Sequence, residues 1–180
     1  MQLPVGNLWV FGYGSLLWRP GFDYLEKHRA RVFGYHRSLC VWSWHHRGQP
    51  ENPGLVFGLD AGGSVLGMAY QIASSAKDAT LEYLYGREMI GKIYAPRLVR
   101  AETKSGSVQA LTFTVDRKHH QYAGRLPFTK ALAVVRAAQG KSGHNREYVL
   151  KTASTLDDLA VRDTTMERLA SELHDSDTPG

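Results

Sequence analysis

The sequence predicts a fold of the α+β class, built on a curled or barrel-like sheet with helices beside it. Apolar, β-favouring segments fill the first two-thirds of the chain, and one helical pattern interrupts them. Further helical patterns follow at the C-terminal end. A length of 180 residues suits one domain with a sizeable core. We therefore predict a single domain over residues 1–180.

Short runs rich in apolar, aromatic and β-branched residues predict the strands of this sheet. They cover residues 8–13, 31–44, 55–59, 64–72, 97–101 and 108–115. The letters DAGG at 60–63 predict a hairpin between the third and fourth strands. The letters RGQPENPG at 47–54, with two prolines and a closing glycine, predict a loop.

The hydrophobic period changes to that of a helix over residues 74–88. Leu81, Leu84 and Tyr85 form its apolar stripe, and Ser75 and Asp78 have the spacing of a capping box. Three more helices are predicted over 129–138, 145–159 and about 166–173. The polar tail from about 174 to 180 is expected to fray.

Composition and charge exclude several classes of function. Lys and Arg exceed Asp and Glu by 22 to 17, but the surplus is spread along the chain, so we predict no nucleic-acid partner. No run approaches the roughly 18 apolar residues of a membrane span, and the first residues, MQLPVGN, do not resemble a signal peptide. Cys40, the sole cysteine, excludes a disulfide framework and favours the cytoplasm.

Histidine pairs stand at 45–46 and 119–120, but neighbours on a strand point to opposite faces. Neither pair can readily chelate one metal ion in extended chain, and a single cysteine leaves no zinc motif. We therefore predict no metal ion and no other cofactor.

Two glycines close the first predicted strand, in VFGYGSLLW at 10–18. A dinucleotide-binding fingerprint would need Gly or Ala where Leu17 stands, and a hydrolase nucleophile elbow would need glycine at Tyr13 and Leu17. Two interpretations of Gly12 and Gly14 remain. The loop binds a carboxylate through its main-chain amides, or it is a tight turn with no ligand.

Glu88 is the candidate for proton transfer. It lies four residues after Leu84 and seven after Leu81, so a helix reaching position 88 turns this carboxylate toward the core. Desolvation raises the pKa of a carboxylate and makes it a better base near neutral pH. In the alternative interpretation, Arg87 or another cation pairs with Glu88, and the pair is structural.

Six segments in order resemble the ChaC family of glutathione-specific γ-glutamylcyclotransferases over about Leu8 to Leu173. They are VFGYGSLLW (10–18), HRGQPENPG (46–54), GMAYQI (67–72), YLYGREM (83–89), QYAGRLP (121–127) and GHNREYVL (143–150). The resemblance implies a small mixed β-barrel with flanking helices. It also implies a reaction that converts glutathione, the substrate, into 5-oxoproline and cysteinylglycine.

The resemblance places the catalytic glutamate at Glu88, and it places Tyr148 near the pocket. It places the substrate-binding loop at Val10, Phe11, Gly12, Tyr13, Gly14 and Ser15. In such a reaction the substrate's own α-amine attacks its γ-carbonyl, so no enzyme nucleophile is needed. One carboxylate can serve as base and then as acid, and the amides of Gly14, Ser15 and Leu16 can hold the α-carboxylate.

Two departures from the family pattern leave the substrate preference open. Leu55 stands where relatives often have arginine, and residues 89–91 read Met-Ile-Gly where some relatives have a glycine pair. The alternatives are a cyclotransferase for other γ-glutamyl amines or dipeptides, and a non-catalytic regulator of cation transport.

Overall fold

The structure is a computed structural model that describes residues 3–89 and 91–175. Within them the chain divides into two compact units. The first unit comprises the described residues within 1–38 and 58–119, and the second comprises those within 39–57 and 120–180. The C-terminal residues 176–180, where we predict fraying, lie outside the described residues, whereas residues 174 and 175 belong to the last helix.

Five long strands in the described part of the chain close into a barrel. They are β1 (Leu8–Gly12), β2 (Glu26–Ser43), β3 (Gly54–Ile72), β4 (Tyr94–Thr103) and β5 (Gly106–Val115). Their order is β1-β3-β2-β4-β5, and β1 pairs antiparallel with β3 and parallel with β5. The predicted α+β class with a barrel-like sheet is confirmed.

The predicted hairpin at residues 60–63 is wrong, because β3 continues through it as one strand from Gly54 to Ile72. Gly62 and Gly63 have φ values of 104° and 75°, which glycine adopts without a steric penalty. A glycine pair of this kind can bend a strand as well as reverse it. Here the chain keeps its direction. The C-terminal part of β3 pairs with the whole of β1, from Met68 opposite Gly12 to Ile72 opposite Leu8.

The core of the first unit consists of side chains that the barrel strands turn inward. Leu8, Val10 and Phe11 of β1 are fully buried, as are Leu111 and Phe113 of β5. Burying a side chain of this size contributes about 1.5–3 kcal/mol relative to leaving it exposed. The position of β1, between two partners, is therefore strongly specified, and with it the start of the glycine-containing loop.

Helix α1 (Lys77–Glu88) follows β3 in the first unit. The predicted capping box is wrong: Ser75 lies in a 3-10 turn, Ser74–Ala76, and no side chain caps the helix, which begins after Ala76. Leu84 of the predicted stripe is fully buried, and the Tyr85 ring meets the Phe113 ring edge-on at 5.9 Å. The helix ends at Glu88, so this carboxylate lies in the last turn.

The second unit contains the remaining helices, which confirm the sequence prediction to within about two residues at each end. They are α2 (Phe128–Ala137), α3 (Asn145–Asp158) and α4 (Thr164–Asp175), with a short pair of strands, β6 (Gln139–Gly140) and β7 (Gly143–His144), between α2 and α3. Asn145 is fully buried and binds both main-chain groups of Leu55, at 2.6 and 2.7 Å. Among the described residues, no helix is long and apolar enough to cross a membrane.

Candidate active site

The loop after β1 folds back closely against the strand that carries it. A Cβ added to Gly12 would lie 2.9 Å from Cβ of Leu16 and 3.4 Å from the ring of Tyr70. A side chain at position 12 would therefore require Leu16 or the loop to shift. A Cβ on Gly67 of β3 would likewise lie 2.3 Å from the Gly12 carbonyl oxygen. The glycine at position 12 is therefore explained by protein packing, without a ligand.

Strand β5 fixes the beginning of the loop through two hydrogen bonds. The Thr112 hydroxyl donates to the Phe11 carbonyl at 3.0 Å, and the Tyr13 hydroxyl donates to the Phe113 carbonyl at 2.9 Å. Val10 and Phe11, both predicted in the substrate loop, have fully buried side chains. Their observed place is in the barrel wall, where they anchor the loop.

Side chains from β2 and β3 bind further carbonyls of the loop. Arg37 donates from Nε to the Tyr13 carbonyl at 2.6 Å. The Tyr70 hydroxyl donates to the carbonyls of Leu16 and Leu17 at 3.0 and 3.4 Å. Burial, with a smaller contribution from a neighbouring tyrosine, raises the pKa of Tyr70 to about 12. Tyr70 therefore stays protonated, and a hydrogen-bond donor, at neutral pH.

The loop closes with a 3-10 turn, Ser15–Leu17. Two carbonyls at its start accept main-chain hydrogen bonds. The Leu17 N–H donates to the Gly14 carbonyl, and the Arg19 N–H donates to the Ser15 carbonyl, each at 2.9 Å. Among the described residues, the N–H groups of Gly14, Ser15 and Leu16 find no acceptor. Several carbonyls of this loop are thus bound within the protein, while three consecutive amides at the start of the turn remain available, as the first N–H groups of a helix do.

Arg87 connects this loop to Glu88. Its Nη2 donates to the Ser15 hydroxyl at 2.8 Å, while Nε lies 3.2 Å from Oε1 of Glu88. Its Nη1 donates to the Arg19 carbonyl at 2.7 Å and to the Tyr83 hydroxyl at 2.8 Å. One guanidinium group thus brings together the predicted catalytic carboxylate and the predicted substrate loop.

Glu88 is partly desolvated, since its side chain is 17% exposed. Burial raises the pKa of this carboxyl above the usual glutamate range, and the charge of Arg87 opposes that shift without cancelling it. The ion pair that sequence analysis offered as the structural alternative does exist. It coexists with a raised pKa because the effect of burial is larger than the opposing effect of the Arg87 charge.

Tyr148 lies in the second unit, on α3, and its surroundings there are well defined. Its hydroxyl accepts a hydrogen bond from the Phe57 N–H at 3.1 Å, and its ring stacks on the Phe57 ring at 5.5 Å. The Arg47 guanidinium lies over the Tyr148 ring, 5.4 Å from its centroid. Its predicted place near the substrate stays a prediction.

Sequence reasoning missed Arg37, Tyr70 and Thr112, which bind the loop from three different strands. Tyr70 is 54 residues from Leu16 in the chain, and Arg37 is 24 residues from Tyr13. Only the strand register brings them together, and a single sequence does not reveal register.

For metal binding, the described residues contain no group of three or more His, Cys, Asp or Glu side chains that could hold an ion.

The fold is that of the γ-glutamylcyclotransferases. A crystal structure of a selenomethionine-labelled yeast γ-glutamyl cyclotransferase specific to glutathione superposes with a TM-score of 0.86. The match covers 94% of this chain and 96% of the yeast chain, at 22% sequence identity. The predicted barrel with flanking helices is confirmed at this level.

Sequence comparison narrows the class to one family. The model of the ChaC-like protein family matches residues 8–176, and the chain belongs to this family. A glutathione-specific γ-glutamylcyclotransferase of Escherichia coli (strain K12) is 31% identical over 159 residues, which cover 88% of this chain and 69% of the relative. Glutathione-specific γ-glutamylcyclotransferase 1 of Mus musculus is 34% identical over 151 residues, 81% of this chain and 68% of the relative.

Proposed function

We propose that this chain is an enzyme, a glutathione-specific γ-glutamylcyclotransferase that converts glutathione into 5-oxoproline and cysteinylglycine. The proposal draws its substrate from the names of the Escherichia coli and mouse relatives. The observation that carries it in this chain is the partly buried Glu88, joined through Arg87 to a loop with available amides.

The loop provides a place for the amino-acid head of the substrate. The amides of Gly14, Ser15 and Leu16 would donate to its α-carboxylate, as main-chain nests do for anions. Val10, Phe11, Gly12 and Tyr13 would support this loop from the barrel rather than recognise the substrate through their side chains. Hydrogen bonds support this division, because the Phe11 carbonyl, the Tyr13 hydroxyl and the Tyr13 carbonyl are already bound within the fold. Tyr148 keeps its proposed place near the pocket through the family resemblance alone.

Glu88 would act first as the general base and then as the general acid. The neutral α-amino nitrogen attacks the γ-carbonyl carbon, and Glu88 accepts one proton from that nitrogen as the bond forms. The new carbon–nitrogen bond closes the five-membered lactam, and the bond to the cysteinyl nitrogen breaks. Glu88 returns the proton to that departing nitrogen, so the atoms of glutathione are all accounted for in the two products. A raised pKa of the Glu88 carboxyl lies closer to neutral pH, where the group can both accept and donate a proton.

Binding in a folded conformation would supply a further part of the rate. Ring closure requires the α-amine and the γ-carbonyl of the substrate to meet. Fixing the α-carboxylate reduces the number of substrate conformations in which these two groups lie apart. The barrel supports this role because hydrogen bonds from three strands fix the loop.

We further propose a single functional domain over residues 1–180 in the cytoplasm, with a small-molecule substrate and no nucleic-acid partner. The lone Cys40, which is buried, supports the reducing compartment. The even spread of Lys and Arg supports the absence of a nucleic-acid surface.

The deciding experiment incubates purified protein with glutathione and measures 5-oxoproline and cysteinylglycine by mass spectrometry. A panel of other γ-glutamyl amines and γ-glutamyl dipeptides is assayed beside it. We expect both products from glutathione and the highest kcat/KM for it. Faster cleavage of another panel member would keep the reaction but change the substrate. Intact substrates throughout would refute the proposed function.

A further inference from the structure

Arg37 of β2 is placed to control the geometry of the loop. Its Nε donates to the Tyr13 carbonyl at 2.6 Å, and its Nη2 donates to the Leu66 carbonyl of β3 at 2.7 Å. The side chain is half-buried. A planar guanidinium that binds two carbonyls holds them in a fixed relative position, which a lysine could not do. Arg37 thus ties the loop to the barrel wall.

The carbonyl that Arg37 binds belongs to the same peptide unit as the Gly14 amide. A trans peptide is planar, and its C=O and N–H point in opposite directions. Holding the Tyr13 oxygen toward Arg37 therefore turns the Gly14 N–H away from Arg37. A cationic donor on the oxygen also polarises the peptide, which strengthens the N–H as a donor.

We propose that Arg37 is a positioning residue that orients the Gly14 amide for the substrate's α-carboxylate. This inference rests on the proposed function, because it takes the γ-glutamyl head as the ligand of the loop. Arg37 does not touch the substrate. It acts through the Tyr13–Gly14 peptide, and its contribution is to substrate binding rather than to proton transfer.

A purely structural role would make a different prediction, and the chain offers a matched control for it. Arg31 lies on the same strand, and its Nη1 donates to the Ser64 hydroxyl of β3 at 3.1 Å. Like Arg37, it links β2 to β3, but in the described part of the chain no hydrogen bond joins it to a loop carbonyl. Arg31→Met therefore removes a link between the strands while it leaves the loop unchanged.

The test compares Arg37→Met, Arg37→Lys and Arg31→Met with the wild type in steady-state kinetics on glutathione and in thermal unfolding. Arg37→Met should raise KM about tenfold or more with kcat within about threefold, because a lost charged hydrogen bond weakens ground-state and transition-state binding alike. Arg37→Lys keeps the charge and can keep one of the two carbonyl hydrogen bonds, so its KM should rise about threefold. Arg31→Met should leave KM unchanged.

A second readout isolates the carboxylate. A glutathione analogue with its α-carboxylate converted to the carboxamide should be a much poorer substrate for the wild type. Arg37→Met should narrow that preference, because its misaligned Gly14 amide recognises the carboxylate less well. A change in strand packing alone would not affect the ratio of kcat/KM for glutathione to kcat/KM for the carboxamide.

The outcomes separate the two proposals. An inert wild type would refute the proposed function, and the role of Arg37 would fall with it. An active wild type with unchanged KM in both Arg37 variants would overturn the Arg37 proposal alone. An equal KM rise in Arg31→Met would overturn it too, since strand linkage would then explain the effect. Should Arg37→Met not fold, the KM and the carboxamide preference of Arg37→Lys decide.

Discussion

Asp60 and Glu88 are two carboxylates of the first unit, each beside an arginine, and their surroundings differ. Asp60 Oδ1 lies 2.6 Å from Nε of Arg117 and accepts the Ala61 N–H at 2.8 Å, and the side chain is 7% exposed. Glu88 Oε1 lies 3.2 Å from Nε of Arg87, and its side chain is 17% exposed. Arg87 gives its other donors to different acceptors.

The difference indicates which of the two carboxylates is free to move a proton. Asp60 accepts short, charge-assisted hydrogen bonds of the kind that hold a carboxylate in place. No described residue donates a comparably short hydrogen bond to Glu88, whose pKa burial raises. A partly desolvated carboxylate suits general acid–base catalysis, whereas a carboxylate held by short hydrogen bonds suits a structural role. Proximity to arginine alone would not have distinguished them.

Turnover should separate the two carboxylates most strongly. Glu88→Gln keeps the shape of the side chain and removes the base, so kcat on glutathione should fall by at least about a hundredfold. Asp60→Asn is the matched change at the structural carboxylate and should leave kcat within about twofold, since it touches no group of the proposed reaction. Near-normal turnover by Glu88→Gln would end the assignment of the base. A comparable loss in Asp60→Asn would show that the variants act through folding.

Stability should separate them in the opposite sense. Asp60→Asn removes the charge of a buried carboxylate that pairs with Arg117 and should lower the free energy of unfolding by about 1–3 kcal/mol. Chemical denaturation at neutral pH measures this loss. Glu82→Gln, at an exposed position of α1, is the control and should change stability by less than about 0.5 kcal/mol. A fully stable Asp60→Asn would mean that Asp60 contributes no more than a surface charge does.

The sequence predicted the part of this comparison that depends on local spacing. The stripe through Leu81 and Leu84 indicated that Glu88 faces inward, and Arg87 was named as a partner because it is adjacent. The Asp60 site was assigned to a hairpin turn, because its glycine pair is as compatible with a turn as with a bent strand. Its partner Arg117 is 57 residues away in the chain, so the contact depends on tertiary structure that local spacing does not encode.

The fold shows the same limit. Runs of apolar and β-branched residues indicated most strands, and helical periodicity indicated the helices, because both signals are local. The closure of the sheet and the place of β1 between β3 and β5 depend on pairings between distant segments. The hydrogen bonds from Thr112 and Tyr70 to the loop follow from those pairings, which is why this part of the candidate site was missed.

The pH dependence of kcat/KM offers a subtler contrast between the two arginines. The acidic limb should report ionisation of Glu88 and lie above the usual glutamate range, because burial raises its pKa. Arg87→Met removes the charge that lowers this pKa, so the limb should move to higher pH. Arg117→Met should leave the limb in place. A limb that ignores Arg87→Met, or one that responds equally to Arg117→Met, would contradict the proposed electrostatics.

The smallest expected effect is on the stability of Glu88→Gln itself. Burial raises the folded-state pKa above the unfolded value, so the folded protein binds this proton more tightly. The stability that this group contributes is complete below its unfolded pKa and is lost as the pH rises through the folded pKa. At neutral pH the ionised carboxylate is therefore a net cost, and Glu88→Gln should have a higher Tm than the wild type. The gain should vanish in acid, where Glu88 is protonated in both states. Thermal unfolding across that pH range measures it, and a lower Tm for Glu88→Gln at neutral pH would mean that the ion pair with Arg87 outweighs desolvation, as the bonds of Asp60 do.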